Sequence, residues 1–251
     1  MGIRKVSLSD GEFFHLYNRG NSKQIIFLDE EDYSRFIKLL YLCNSSRKIN
    51  FRDDIVDKHI DAFDFDRGEG LVSIGAWCLM PNHFHLYVYS LPNLPTSDLD
   101  SGKSKDNMSN ITKFMLKLST SYSKYFNKKY GRTGKLFEDK FKSVHIKEEN
   151  QAKYLFSYIH LNPVKLIQKD WREKGLMDKE KILRHLNNYN WSSYNDFMGK
   201  TRKEKKIINP DNFPISYFPN GYLFEREIFD WLKLDPSPKQ GLGEIREGKE
   251  G

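Results

Sequence analysis

Apolar positions along the chain keep two periods. Residues 12–18, Glu-Phe-Phe-His-Leu-Tyr-Asn, read as a buried strand, and Arg19-Gly20-Asn21-Ser22 as the turn after it. A short extended piece follows at 23–28. From Asp29 the period lengthens. Phe36, Leu39, Leu40 and Cys43 recur at helical spacing behind an Asp29 cap, and Glu30, Glu31 and Asp32 stand where the helix dipole favours acids. A helix over about 30–44 is expected. Residues 51–67 are charged and irregular, read as a strand with a ragged loop. Residues 71–79 return to a strand, and Met80-Pro81-Asn82 turns it into the alternation Phe84, Leu86, Val88.

After a polar loop at 91–107, Ile111, Phe114, Met115, Leu118, Tyr122, Tyr125 and Phe126 make one stripe of a second helix. Lys113, Lys117, Lys124 and Lys128 occupy its other face, and Gly131-Arg132-Thr133-Gly134 ends it. Residues 135–146 read as extended. A third helix opens at Glu148-Glu149-Asn150 and runs through Tyr154, Leu155, Tyr158 and Ile159. Asn162-Pro163 is expected to stop it, because the residue before proline is pushed out of helical geometry. Residues 171–186 look helical, 190–194 form a turn-rich aromatic patch, and 201–206 read as a solvated basic linker. This order predicts an α+β sandwich, an antiparallel sheet with helices packed on it. The core domain is expected over 1–200, with a C-terminal appendage at 201–235 and a disordered tail at 236–251.

With 251 residues, the chain suits one domain with additions or two small ones. Its net charge of +7 suits a polyanionic partner, nucleic acid above all. Cys43 and Cys78 make neither a disulfide framework nor a Cys-x-x-Cys pair, which fits a reducing cytoplasm. The start lacks the apolar run of a signal peptide, and no apolar stretch has the length to span a bilayer.

The chemistry gathers at two places. On a strand, His83 and His85 point the same way and Phe84 the other. Two imidazoles so close are the start of a divalent-metal site; the plain alternative is two surface histidines. On the third helix, Tyr158 and Asn162 lie one turn apart on one face. If that face meets the histidine strand, two nitrogens and an amide oxygen could hold an ion beside a phenol. The ion would act as a Lewis acid on a phosphodiester, and Tyr158 would be the nucleophile, through a covalent phosphotyrosine. A phenol titrates near pH 10, so it needs the ion, a base or a cation to react at neutral pH. The plain alternatives are a core tyrosine and a helix-capping asparagine.

Leu79-Met80-Pro81-Asn82-His83-Phe84-His85 resembles the His-hydrophobic-His motif of single-tyrosine HUH transposases. Tyr158-Ile159-His160-Leu161-Asn162-Pro163-Val164-Lys165 resembles the tyrosine helix of their REP-associated branch. Phe14-His15-Leu16-Tyr17-Asn18-Arg19-Gly20 resembles that group's first strand. Gly134-Lys135-Leu136-Phe137-Glu138 and Trp191-Ser192-Ser193-Tyr194 resemble two further segments, in the same order. The resemblance covers about 10–200. It implies a ferredoxin-like core in which His83, His85 and Asn162 bind Mg2+ or Mn2+. It also implies that Tyr158 cleaves hairpin-bearing single-stranded DNA, leaving a 5′-phosphotyrosine and a free 3′-hydroxyl. Arg19, Lys124, Lys128, Lys129, Arg132 and Lys135 are candidate phosphate contacts that the resemblance does not fix. It leaves open a monomer or a homodimer, and Tyr158 acting in cis or in trans.

Two other readings stand beside this one. In the first, the same fold holds hairpin DNA or RNA without catalysis, through salt-sensitive phosphate contacts. A replication-initiator or relaxase type of HUH nuclease would more often carry a longer His-rich motif or paired tyrosines, and neither is present. His15, on the first strand, and His145, which flanks the site in sequence, are given no role; His160 is read as packing or surface, His59 and His185 as exposed, and Cys78 as a small buried apolar residue.

Overall fold

The computed structural model describes residues 7–92, 108–214 and 221–233. In chain order the described residues form β1 (Phe13–Arg19), α1 (Glu30–Cys43), β2 (Val72–Met80), β3 (His83–Ser90), α2 (Asn110–Lys129) and β4 (Lys142–Ile146). There follow α3 (Glu149–Leu161), α4 (Trp171–Lys174), α5 (Lys179–Asn188), α6 (Tyr194–Phe197) and α7 (Tyr222–Lys233). The expected loop at 91–107 and tail from 236 fall largely or wholly outside the described residues.

The four strands make one sheet in the order β2-β3-β1-β4, every neighbouring pair antiparallel. With α1 between β1 and β2, and α2 between β3 and β4, this is the ferredoxin-like arrangement of two interleaved βαβ units. The period-two pattern sorts side chains to two faces. Phe14 and Leu16 on β1, and Phe84, Leu86 and Val88 on β3, meet Phe36 and Leu40 of α1 and Phe114, Leu118 and Tyr122 of α2. The other face carries Ala76, Cys78, Met80, Tyr87, Val144 and Ile146 against Leu155 and Ile159 of α3. A register shift between Ile74 and Ala76 lets Ile74 and Trp77 both reach the α1–α2 core.

The helix starts follow the pattern. The Asp29 carboxylate accepts from the Asp32 N–H at 3.0 Å, and the Ser109 hydroxyl caps α2. Several connections differ from expectation. No strand forms over 51–67; Phe51–Val56 is a helical turn capped by the Asn50 side chain, because the charged run offers no apolar alternation. Within 135–146 only Lys142–Ile146 pairs as a strand. The third helix ends at Leu161, where the Asn162-Pro163 pair is expected to stop it, but the backbone does not leave helical geometry there. Asn162 has φ −53° and ψ −40°, and Pro163 opens a 3-10 turn, Asn162–Leu166. A proline at a first helical turn loses no hydrogen bond that the turn needed. The helix expected at 171–186 is broken at Gly175, whose φ of +73° suits glycine.

The segment read as a solvated linker is docked. Arg202 pairs with the buried Asp196, Lys203 with Asp61 and Asp64, Lys206 with Asp64, and Ile207 enters the first core. Arg202, Lys203 and Lys206 therefore have partners, supplied by the acidic loop at 61–64 and by α6. Beyond them Phe213, Phe224, Ile228 and Phe229 join the core around α3. The aromatic patch near 191 extends the sheet: Leu79 N–H donates to the Trp191 carbonyl and Ser193 N–H to that of Trp77. Part of the open edge of β2 is thereby covered. Among the described residues no helix is long and apolar enough to cross a membrane.

Candidate active site

The site grows from the face of β3 opposite α1 and α2. Phe84 is locked in the first core, so His83 and His85 must both face α3. Their rings meet edge to face, centroids 5.0 Å apart. Each Nδ1 is engaged. That of His83 lies 2.6 Å from Asn82 Oδ1, an acceptor, so the proton belongs on Nδ1 and the Nε2 lone pair is the one a metal would take. His85 is 1% exposed, and its Nδ1 lies 2.9 Å from Nε2 of His15, which is fully buried on β1. The His15 and His85 rings stack at 5.1 Å, and the Tyr17 ring lies 4.9 Å from His15 and 5.9 Å from His85.

α3 carries the second half. Leu155 and Ile159 bury one stripe against the sheet, which sets Tyr158 toward the histidines. Its ring stands edge-on to His85 at 5.4 Å and to His15 at 6.4 Å. Tyr158 is 2% exposed. Its hydroxyl accepts a 2.5 Å hydrogen bond from Arg172 Nη2, and that guanidinium lies 4.4 Å from the ring centre. One turn on, helical backbone continues through Asn162, which is fully buried with neither amide atom hydrogen-bonded. Among the described residues no group of three His, Cys, Asp or Glu side chains is placed to hold a metal. Two histidines and an amide are a different donor set.

The candidate phosphate contacts scatter. Arg19 lies directly opposite His83 across β1 and β3, and grips Glu138 with two hydrogen bonds of 2.5 and 2.9 Å. That bond holds the Glu138 carboxyl below its ordinary range. Lys129 meets Asp29, Glu31 and Asp32, and Arg132 donates to Gln24 Oε1. Lys124, Lys128 and Lys135 are exposed, the first two on α2, beyond the sheet face that the histidines leave. Lys142, opposite Tyr17 in register, is exposed on the histidine side.

His160 is fully buried between the Phe156 carbonyl and the Ser193 hydroxyl. His145 pairs with Glu12, and Cys78 is a buried apolar neighbour. His59 is exposed, whereas the half-buried His185 meets the Pro163 carbonyl. Sequence reasoning passed over His15 and Arg172, the two residues that touch His85 and Tyr158. The sign for His15 was on the page: it shares the parity of Phe13 and Tyr17, opposite to the core pair Phe14 and Leu16. Arg172 had no such signal, since only the fold of the chain after α3 returns it to Tyr158.

No family model matches this chain, and no curated protein matches it. Among solved structures, a REP-associated tyrosine transposase bound to a REP hairpin aligns with 13% identity and a TM-score of 0.42, over 81% of this chain and 90% of that one. A bacterial tRNA(His) guanylyltransferase (Thg1)-like protein in complex with ATP aligns with 10% identity and a TM-score of 0.37, over 86% of this chain and 79% of that one. Both TM-scores lie below one half, and neither likeness weighs in the reading of the site.

Proposed function

We propose that this chain is a divalent-metal-dependent DNA strand transferase, a transposase of the single-tyrosine HUH kind, acting on hairpin-bearing single strands. The observation that carries the reading is the meeting of Tyr158 with His85, from two elements 73 residues apart in sequence, with a guanidinium on the phenol oxygen. A core tyrosine needs no such company.

The residues present fit a metal. The Asn162 amide is buried without a hydrogen-bond partner, which native interiors rarely tolerate unless an ion or water completes it. His83 and His85 each have Nδ1 held by another group, the usual way a metal-ligating imidazole is oriented. His83, His85 and Asn162 would hold Mg2+ or Mn2+, and the ion would supply Lewis-acid polarisation of a phosphodiester. The chain's own residues do the rest. β3 and α3 fix the donors on rigid elements, Tyr158 presents its hydroxyl beside them, and the packed rings of Tyr17, His15 and Tyr154 keep water from one side. Lys142 brings an exposed positive charge to the histidine side for a phosphate backbone, while Arg19 on that side is paired with Glu138.

The test is covalent capture. Purified protein, a labelled library of single strands with a stem-loop flanked by randomised bases, and Mn2+ should give a protein–DNA adduct. Peptide mass spectrometry should map it to Tyr158, and EDTA should abolish it. An adduct on another residue would move the nucleophile. No adduct, with tight salt-sensitive retention of the strands, would leave the catalytically silent binding module.

A second expectation concerns His15, which we read as the group that orients His85. His15→Phe keeps the ring stack and removes the hydrogen bond. Mn2+ affinity, measured by the electron paramagnetic resonance of free ion, should fall roughly ten- to a hundredfold. Unchanged affinity would make His15 a packing residue.

A further inference from the structure

Arg172 lies outside every segment that resembles the transposase family, yet its side chain touches the proposed nucleophile's oxygen. Its position is built rather than accidental. α4 is only one turn long, and the indole of Trp171, 2% exposed in the second core, pins it. The N–H groups of Glu173 and Lys174 both donate to the Asp170 carbonyl and close that turn. With Trp171 fixed inward, Arg172 lies over the Tyr158 ring while Nη2 reaches the hydroxyl at 2.5 Å. Stacking and hydrogen bonding together are what a planar fork does and a lysine ammonium does not.

We propose that Arg172 is a catalytic residue: it holds the Tyr158 oxygen for attack and then takes the oxygens of the phosphate that Tyr158 attacks. The proposal rests on Tyr158 being the nucleophile. In the attack the bond from Tyr158 Oη to phosphorus forms and the bond from phosphorus to the 3′ oxygen breaks. The phenol proton passes to water, and the departing 3′ oxygen takes its electron pair and then a proton from water, so nothing is oxidised or reduced. Arg172 keeps its own protons throughout, since a guanidinium does not deprotonate in proteins. Its part is electrostatic. The phenol oxygen loses negative charge to phosphorus as the non-bridging oxygens crowd, and a guanidinium already on that oxygen is one hydrogen-bond length from them. The near-complete burial of Tyr158 fits this order of events, because the group covering the hydroxyl is the group that a phosphate attracts away.

The experiment uses the full chain, the same labelled stem-loop library and Mn2+, with wild type, Arg172→Ala and Arg172→Lys. Adduct formation should slow by about 10²- to 10³-fold in Arg172→Ala, the usual effect of removing one such donor. It should slow less in Arg172→Lys. Dilute guanidinium chloride, well below denaturing levels, should restore Arg172→Ala and leave the wild type unchanged. A wild-type rate in Arg172→Ala overturns the proposal. So does a loss that neither lysine nor guanidinium repairs, which would mark Arg172 as a structural clamp. The second readout does not need chemistry. In Arg172→Ala the slope of log affinity against log salt for the library should fall by about one phosphate contact. If wild type makes no adduct, the nucleophile reading fails by itself, and an unchanged slope then overturns the phosphate contact as well.

Discussion

Asn162→Leu is expected to make the metal-free protein more stable and to abolish adduct formation. Both amide atoms of Asn162 are buried and unbonded, and each such atom costs about 1–3 kcal/mol against a hydrated one. Leucine keeps the same number and branching of heavy atoms, lacks the polar atoms, and suits the helical backbone at this position, its bulkier methyl groups entering the space beside the unbonded amide. A gain of about 2 kcal/mol in urea unfolding without metal is therefore the expected sign and size. With metal the order reverses. Wild type should gain about 2.7 kcal/mol from Mn2+ at a hundredfold excess over its dissociation constant, and the variant much less, having lost a ligand. Few structural roles for an asparagine would give stabilisation, loss of activity and loss of the metal response together. A destabilised Asn162→Leu would mean that ordered water already satisfies the amide, and the metal site would lose its main support.

Much of this was legible in the sequence, for a physical reason. Side-chain parity on a strand is strict, so Phe84 in an apolar alternation sends His83 and His85 to the other face wherever the strand sits. The α2 stripe from Ile111 to Phe126 likewise reads directly as a buried face, and those two residues are indeed in the first core. Asn162-Pro163 marked the end of α3 correctly, but not by the expected route: the bias before proline is overridden, and a 3-10 turn continues with Pro163 and Val164 buried. Lys203 and Lys206 misled because charge runs are usually solvated, whereas here the acid loop at 61–64 lies across from them. Neither Lys203–Asp61 nor His15–His85 can be read from spacing, since 142 and 70 residues separate the partners. The same holds for Arg172. α3 ends at Leu161, so the 14 residues between Arg172 and Tyr158 carry no helical phase, and a turn ending at Gly175 decides where Arg172 falls.

The two faces of the sheet divide the work. The α1–α2 face is a packed apolar layer whose only duty toward the site is to fix β1 and β3. The α3 face mixes apolar anchors with His15, His85, Tyr158 and Asn162, polar groups that bury at a cost and are rewarded only by one another or by a ligand. The chain after residue 200 belongs to this argument, because Phe213, Phe224 and Phe229 thicken the layer that holds α3 down.

His160 should give this protein a steep loss of stability in mild acid. Burial is the main cause of its shift, and it pushes the imidazole down to about 3, with the Phe156 carbonyl opposing in part. With Nδ1–H donating to that carbonyl, Nε2 accepts from the Ser193 hydroxyl, and the folded ring stays neutral. The unfolded chain takes up a proton at its ordinary value of 6.5. Between 6.5 and about 3 the unfolded state binds the extra proton, so stability is fully present above 6.5 and falls as the pH drops through that window. The slope approaches that of one proton, on the order of 1 kcal/mol per pH unit, so a loss of roughly 3 kcal/mol is expected by about pH 4.5. Carboxylates such as Asp61 and Glu138, whose folded values are lowered by their partners, act further down, below their own unfolded values. Urea unfolding of wild type and His160→Gln at intervals from about pH 4.5 to 7.5 separates the contributions, because every other histidine cancels in the difference. The variant should start less stable at neutral pH and lose less on acidification, so that the two curves converge. Parallel curves would show that His160 protonates within the fold and that its buried hydrogen bonds do not hold it neutral.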